Sequence, residues 1–299
     1  MYNNIILIPP CNTYGDIMSV IAMLYYLSNY YINVYLYLYI ENPLIIKYYY
    51  NFFKCDSSNI FIITNENTIN ILNSNDYDFF HICNTHTGDW KHNKNNYTLF
   101  ENININKKHY FCDSNPLYNF LNISEEYSCI PNVSLPLNLL EINSIVYYKM
   151  VGLNNNVRMN YFNYIRDIEK ESVTKLEILT KFNIKLGDKY NIINTLSSND
   201  EDIKKRINNN YTTIDINYLV EFPGWLLTLI EDSEEIHLIE GCNVNFIYYC
   251  QYNNIINLNL KHVYFHIWAR NRNWSDYNLD YSWKMMNNPK LQNWNFIFE

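Results

Sequence analysis

Ile5-Ile6-Leu7-Ile8-Pro9-Pro10-Cys11-Asn12-Thr13-Tyr14-Gly15-Asp16-Ile17 is the stretch whose reading decides the fold. Its apolar run breaks at Pro9-Pro10. Beyond Gly15, Ile17, Val20, Ile21, Leu24 and Leu27 recur at spacings of three and four, the pattern of a helix laid on a sheet. Gly15 allows a tight turn before that helix. The stretch therefore predicts strand, turn and helix, with Asp16 in the first helical turn at the carboxyl edge of the strand. Ligands of open α/β sheets bind at that edge, which makes Asp16 a candidate functional carboxylate. An Asp at a helix start also serves as a plain cap, and both roles stay open at this point.

Working outward, strand and helix signals alternate. Asn33–Ile40, Asn59–Thr64 and Asp78–Cys83 read as strands and Ile45–Phe53 as a helix. A short strand at His109–Cys112 and a helix at Pro116–Leu121 complete a first domain that ends near residue 150. Asn160–Phe182 reads as one long amphipathic connector helix, with Phe162, Ile165, Ile168, Val173, Leu176 and Leu179 at helical spacing. Alternation then resumes. Tyr190–Leu196, Thr212–Ile216, Ile236–Ile239 and His262–Ile267 read as strands, with helices at Gly224–Glu231 and Val244–Gln251. Such alternation implies parallel sheets with right-handed crossovers. The predicted fold class is α/β, with two Rossmann-like doubly wound domains facing each other across a cleft. The expected bounds are 1–150 for the first domain, 151–182 for the connector, 183–270 for the second domain and 271–299 for a C-terminal tail. Trp274, Trp283 and Trp294 would anchor that tail back on the first domain.

The balance of 22 Lys and Arg against 30 Asp and Glu, a net charge of -8 over 299 residues, argues against nucleic-acid binding, which needs a basic face. No apolar stretch approaches ~20 uninterrupted residues, so no membrane span is expected. No basic segment leads into an apolar signal sequence, and the seven cysteines are scattered without a CxxC pair. A cytoplasmic protein with reduced thiols is the expectation. His81, Cys83, His86 and His92 match no zinc framework, so no metal is expected.

Three segments carry a family resemblance. Gly15-Asp16-Ile17 with its apolar helix is similar to the opening of the heptosyltransferase-like glycosyltransferases. Trp225–Glu231 through Glu235-Ile236-His237-Leu238-Ile239-Glu240-Gly241-Cys242 is similar to that family's second-domain helix, strand and nucleotide-sugar loop. Tyr264–Arg270 with Trp283, and Arg158 with Phe162, Arg166, Asp167 and Glu171, resemble a looser group of GT-B-like proteins. The resemblance implies the GT-B fold and transfer of a sugar from a nucleotide-diphosphate sugar to a hydroxyl acceptor, without a metal or other cofactor. It also implies that Asp16 is the general base, because a sugar hydroxyl attacks well only as a positioned carboxylate takes its proton. One departure stands out: where the family carries Asp-Ser-Gly and a His three residues on, this chain reads Glu240-Gly241-Cys242-Asn243-Val244-Asn245.

On this reading Asn12, Thr13, His86 and Asp89 are candidate acceptor contacts, and an ordinary surface loop around 84–92 is the plain alternative. Thr195, Ser197, Ser198, Glu240, Gly241, Cys242 and Asn243 are candidate donor contacts. Hydroxyls and helix N-terminal amides suit a diphosphate, and Glu240 suits a ribose; a simple turn and a helix cap are the plain alternatives. Arg158, Arg166, Lys261 or Arg270 would balance phosphate charge, with Arg166 expected to pair instead with Glu169 or Asp167 on a solvated helix face. Two further functions remain in play. A catalytically degenerate GT-B scaffold that only binds fits the altered loop and the six glycines of the chain, and a sugar-nucleotide epimerase would need more carboxylates at the site.

Overall fold

A computed structural model of the chain describes residues 4–8, 14–38, 46–47, 50–52, 59–64, 77–81, 105–107, 148, 153, 156–194, 206–217, 219–239, 242–266 and 288–297. The chain divides into two compact units, Met1–Asn163 and Tyr164–Glu299. Each is mixed α/β and carries a five-stranded sheet whose strands all pair in parallel.

In the first unit the strands are β1 (Asn4–Ile8), β2 (Val34–Tyr37), β3 (Ile60–Ile63), β4 (Tyr77–His81) and β5 (Ile105–Lys107). They lie in the order β3-β2-β1-β4-β5, so the winding reverses between β1 and β4. Helix α1 (Tyr14–Ser28) follows β1, as the opening stretch predicts. Val20 to Leu24 are wholly buried, and a helix apolar on all sides belongs inside a core. Asn59 closes its far end by donating from Nδ2 to the carbonyls of Ser28 at 2.8 Å and Tyr31 at 3.2 Å. A last helix, α2 (Asn156–Asn160), lies against α1. Residues 46–47 and 50–52 are helical, within the expected Ile45–Phe53. The expected strand at 109–112 and helix at 116–121 lie outside the described residues, while β5 forms a few residues earlier, at Ile105–Lys107.

The second unit departs from the expected connector. No continuous helix runs from 160 to 182: residues 161–167 are non-helical, and α3 spans Ile168–Lys181. Asp167 ends the non-helical stretch as the N-cap, its Oδ1 accepting from the Lys170 amide at 3.0 Å. Helix α3 packs within this unit, on the 3-10 turn Pro223–Leu226 and on α4 (Leu227–Asp232). The sheet comprises β6 (Tyr190–Ile193), β7 (Thr212–Asp215), β8 (Glu235–Ile239), β9 (His262–His266) and β10 (Trp294–Ile297), in the order β10-β9-β8-β6-β7. Helix α5 (Cys242–Tyr252) connects β8 to β9.

Strand β10 corrects the expectation for the tail. Residues 294–297 extend the second sheet, and Trp294 anchors there, its Nε1 donating to Gln251 Oε1 on α5 at 2.7 Å. Gln251 Nε2 in turn donates to the Lys290 carbonyl and Asn293 Oδ1, both at 3.1 Å. Trp274 and Trp283 lie outside the described residues.

Parallel register assigns the sheet's two faces, since directly paired residues share a face and successive ones alternate. One face carries Ile192, Ile214, Ile236, Leu238, Val263 and Phe265, all buried. In the same unit Tyr164, Phe222, Trp225 and Phe246 form an aromatic cluster with ring centroids 5.6 to 6.3 Å apart. The other face is polar for a parallel sheet, whose strands are usually continuous apolar runs.

Candidate functional site

The polar face is laid out in rows. Thr213, Asn191, Glu235 and His262 are directly paired across β7, β6, β8 and β9, and the next row holds Asp215, Ile193, His237, Tyr264 and, on β10, Asn295. His266 closes the face at the carboxyl end of β9, paired with Ile239.

The carboxyl edge between β6 and β7 is built from three polar side chains. Asn194 follows β6 and is buried, with its amide donating to the His237 carbonyl at 2.9 Å. Its Nδ2 donates to Asn217 Oδ1. Asn217 donates to Asp215 Oδ1 twice, from its backbone amide at 3.0 Å and from Nδ2 at 2.8 Å. Asp215 thus sets the Asn217 amide, which sets Asn194, at the strand ends where an α/β sheet binds ligands.

Along the same face, β8 and β9 hold a second polar group. His237 Nδ1 and His266 Nε2 lie 3.0 Å apart, and His237 Nε2 lies 3.5 Å from Glu235 Oε2. Tyr264 stacks on His237 with centroids 4.7 Å apart and planes 18° from parallel. Both histidines are buried. Burial lowers the pKa of His237 below its usual value, against the upward pull of Glu235. Burial, then the neighbouring His237 and Arg206, lower that of His266 to about 4. Two rings that share one hydrogen bond while resisting protonation form a neutral pair at pH 7.

Of the residues expected from sequence, Asp16 is the third residue of α1, in its first turn after β1. Cys242 and Asn243 are the first two residues of α5, with Asn243 half-buried. Asn12, Thr13, His86, Asp89, Thr195, Ser197, Ser198, Glu240 and Gly241 lie outside the described residues, as do Cys83, His92 and Arg270. The two expected donor segments nonetheless leave adjacent strands: β6 pairs with β8, with Ile193 opposite His237.

Arg166 needs correction. It does not pair with Glu169 or Asp167. Its Nε and Nη2 reach both oxygens of Glu171 at 2.6 to 3.2 Å, and Nη1 reaches Glu231 at 2.6 Å. Thr228 Oγ1 accepts from Nη2 at 3.0 Å and donates to Glu171 at 2.7 Å. Burial alone would lower the guanidinium pKa, but the two carboxylates outweigh it and hold the group above its usual range. Arg166 is therefore structural, joining α3 to α4, and the helical wheel missed this because 161–167 is not helical.

Asn194, Asp215, Asn217, Glu235, His237 and His266 were not singled out from sequence. A signal was present in the polar residues at period two within Glu235-Ile236-His237 and His262-Val263-Tyr264-Phe265-His266, where a buried parallel strand should be apolar throughout. Among the described residues no group of three or more His, Cys, Asp or Glu is placed to hold a metal ion. No helix among them is long and apolar enough to cross a membrane. Compared with known proteins, the chain matches no family model, no curated protein and no solved structure.

Proposed function

We propose that the chain is a GT-B-like glycosyltransferase that moves a sugar from a nucleotide-diphosphate sugar to a hydroxyl acceptor. In this reading both units are Rossmann-like and face each other, the first taking the acceptor and the second the donor. The observation that carries it is the pair of parallel sheets, each reversing its winding at its own first strand, with Asp16 in the first turn after β1. That reversal is where doubly wound sheets bind nucleotides.

The second sheet has the order in which its first strand, β6, lies between its second and third, β7 and β8. The chain leaves β6 toward Thr195, Ser197 and Ser198, and leaves β8 toward Glu240, Gly241, Cys242 and Asn243. Both donor segments therefore begin at the reversal. The 11-residue helix α5 presents its first amides and the positive end of its dipole there, which favours a diphosphate. Glu240 accepts from the ribose. Asn12, Thr13, His86 and Asp89 orient the acceptor. Asp16 takes the acceptor proton as the new bond to the anomeric carbon forms and the bond to the diphosphate breaks, the nucleoside diphosphate leaving with the electron pair.

A second reading, a GT-B scaffold that binds without catalysis, is favoured by Glu240-Gly241-Cys242-Asn243 in place of the family's loop and by only six glycines for close backbone approach to phosphates. Thermal-shift measurements against nucleoside diphosphates and nucleotide sugars, followed by a transfer assay on the ligands that bind, test both. Binding with turnover supports the transferase. Binding of a nucleotide sugar without turnover against a panel of acceptors favours the scaffold, and no stabilisation by any nucleotide refutes the donor site.

A further inference from the structure

We infer that His237 and His266 form an acid-sensitive latch between β8 and β9, which keeps the carboxyl edge of the second sheet closed at neutral pH and loosens it on acidification. The inference is independent of the transferase reading. It begins from geometry: Nδ1 of one ring and Nε2 of the other are 3.0 Å apart, so a single proton lies between them. Both rings are buried, with Ile193 and Ile239 as their lateral neighbours.

With both rings neutral, His266 Nε2–H donates to His237 Nδ1 while His237 Nε2–H faces Glu235. One added proton is accommodated, since a charged His237 donates from Nδ1 to His266 and from Nε2 to the Glu235 carboxylate. A second added proton is not. Two N–H groups would then oppose each other at 3.0 Å in a buried site, and only separation of the rings relieves them. Both rings are buried on neighbouring strands with little room to turn, so their separation is made by parting β8 from β9 at the level of Ile239 and His266.

The charged and titratable groups facing the pair among the described residues act in both directions. Glu235 on β8 favours protonation of His237, whereas Arg206, ahead of β7, disfavours that of His266. Tyr264 on β9 stacks on His237, and burial together with Glu235 raises its pKa, so it stays neutral. Asn191 on β6 donates to the Asn208 carbonyl at 2.9 Å, and the Asn208 amide approaches Glu235 Oε2 at 3.3 Å, holding the carboxylate beside the pair.

The sign is fixed by linkage. For His266 the folded value of about 4 lies below the ordinary 6.5, so its contribution to stability is complete above pH 6.5 and is lost as pH falls from there toward 4. Between pH 8 and pH 5 the opening equilibrium should rise by up to about 30-fold through this ring.

Amide hydrogen exchange of the full chain, corrected for the intrinsic pH dependence, tests the latch at Leu238, Ile239, Phe265 and His266. The expected result is increased opening at these amides at pH 5 relative to pH 8, with Ile192 and Ile193 on β6 rising less. The double substitution His237→Leu/His266→Leu removes both partners together and should abolish the rise. Uniform exchange across β6, β8 and β9, or a rise that survives in the double variant, overturns the inference. Should that variant not fold, histidine side-chain NMR of the native chain decides. A His266 ring that stays neutral and hydrogen-bonded down to pH 5 supports the latch, and an ordinary titration of His266 near pH 6.5 in the folded chain refutes it.

Discussion

Replacing Glu171 with Ala should be among the most damaging single changes to the second unit. The Glu171 carboxylate is fully buried and accepts four donors: Arg166 Nε and Nη2, the Thr228 amide at 3.1 Å and the Thr228 hydroxyl. Arg166 itself has all five N–H groups engaged, counting its Nη1 contacts to Glu231 and the Ile255 carbonyl. Truncation at 171 removes the acceptor of Nε, one of two acceptors of Nη2, and the cap on the first turn of α4, whose own N-cap Leu226 supplies no side chain. Breaking one side of a buried ion pair costs about 3–5 kcal/mol. The Arg166 side chain keeps 17% exposure and retains Glu231, which sets the loss near the lower end, while the lost cap adds about 1 kcal/mol. The expected destabilisation is about 3–4 kcal/mol, read from urea unfolding followed by circular dichroism. Glu231 is 24% exposed, so Glu231→Ala should cost less, about 1–2 kcal/mol. Arg166→Met combined with Glu171→Met should cost clearly less than the two single changes added together, because removing both charges leaves neither buried alone. A loss below about 1 kcal/mol for Glu171→Ala, or strict additivity in the cycle, would refute the reasoning.

Three further outcomes are expected. A methyl added at Gly224 would lie 2.6 Å from Tyr164 Oη and collide with Phe222, so Gly224→Ala should destabilise by about 1–3 kcal/mol, with Tyr164→Phe in the same chain recovering part of it; an unchanged unfolding midpoint would contradict the packing. Burial raises the Cys250 thiol well above its usual pKa, so peptide mapping after alkylation at pH 8 should find Cys250 unlabelled in the native chain and labelled in urea; native labelling would place it at the surface. On the proposed transferase reading, Asp16→Asn should reduce sugar transfer by a hundredfold or more while changing stability by at most about 1 kcal/mol, and transfer at the wild-type rate would remove Asp16 from the proposed mechanism.

The elements described in the first unit were largely legible because their signals are local. A run such as Ile5–Ile8 followed by a turn and apolar residues three and four apart states its own conformation, and β1, α1, β2, β3 and β4 lie within a few residues of expectation. The position of Asp16 in the first turn of α1 was readable for the same reason. Helical spacing over 160–182 misled, since the apolar residues of 161–167 pack without a helix: Phe162 and Tyr164 are buried, and Asp167 starts α3 afresh.

What only the tertiary structure decided are the relations between distant residues. Trp294–Ile297 becomes a strand because β9 is there to pair with it, although four residues of weak periodicity carry no signal of their own. Arg166 finds Glu231, 65 residues away, because α4 lies against α3. His237 meets His266, 29 residues on, only because β8 and β9 are neighbours in a register that sets Ile239 beside His266. Period and turn chemistry act over a few residues and are written in the chain. Strand order, register and the partners of buried polar groups depend on which surfaces exclude water together, and that is settled by the folded whole.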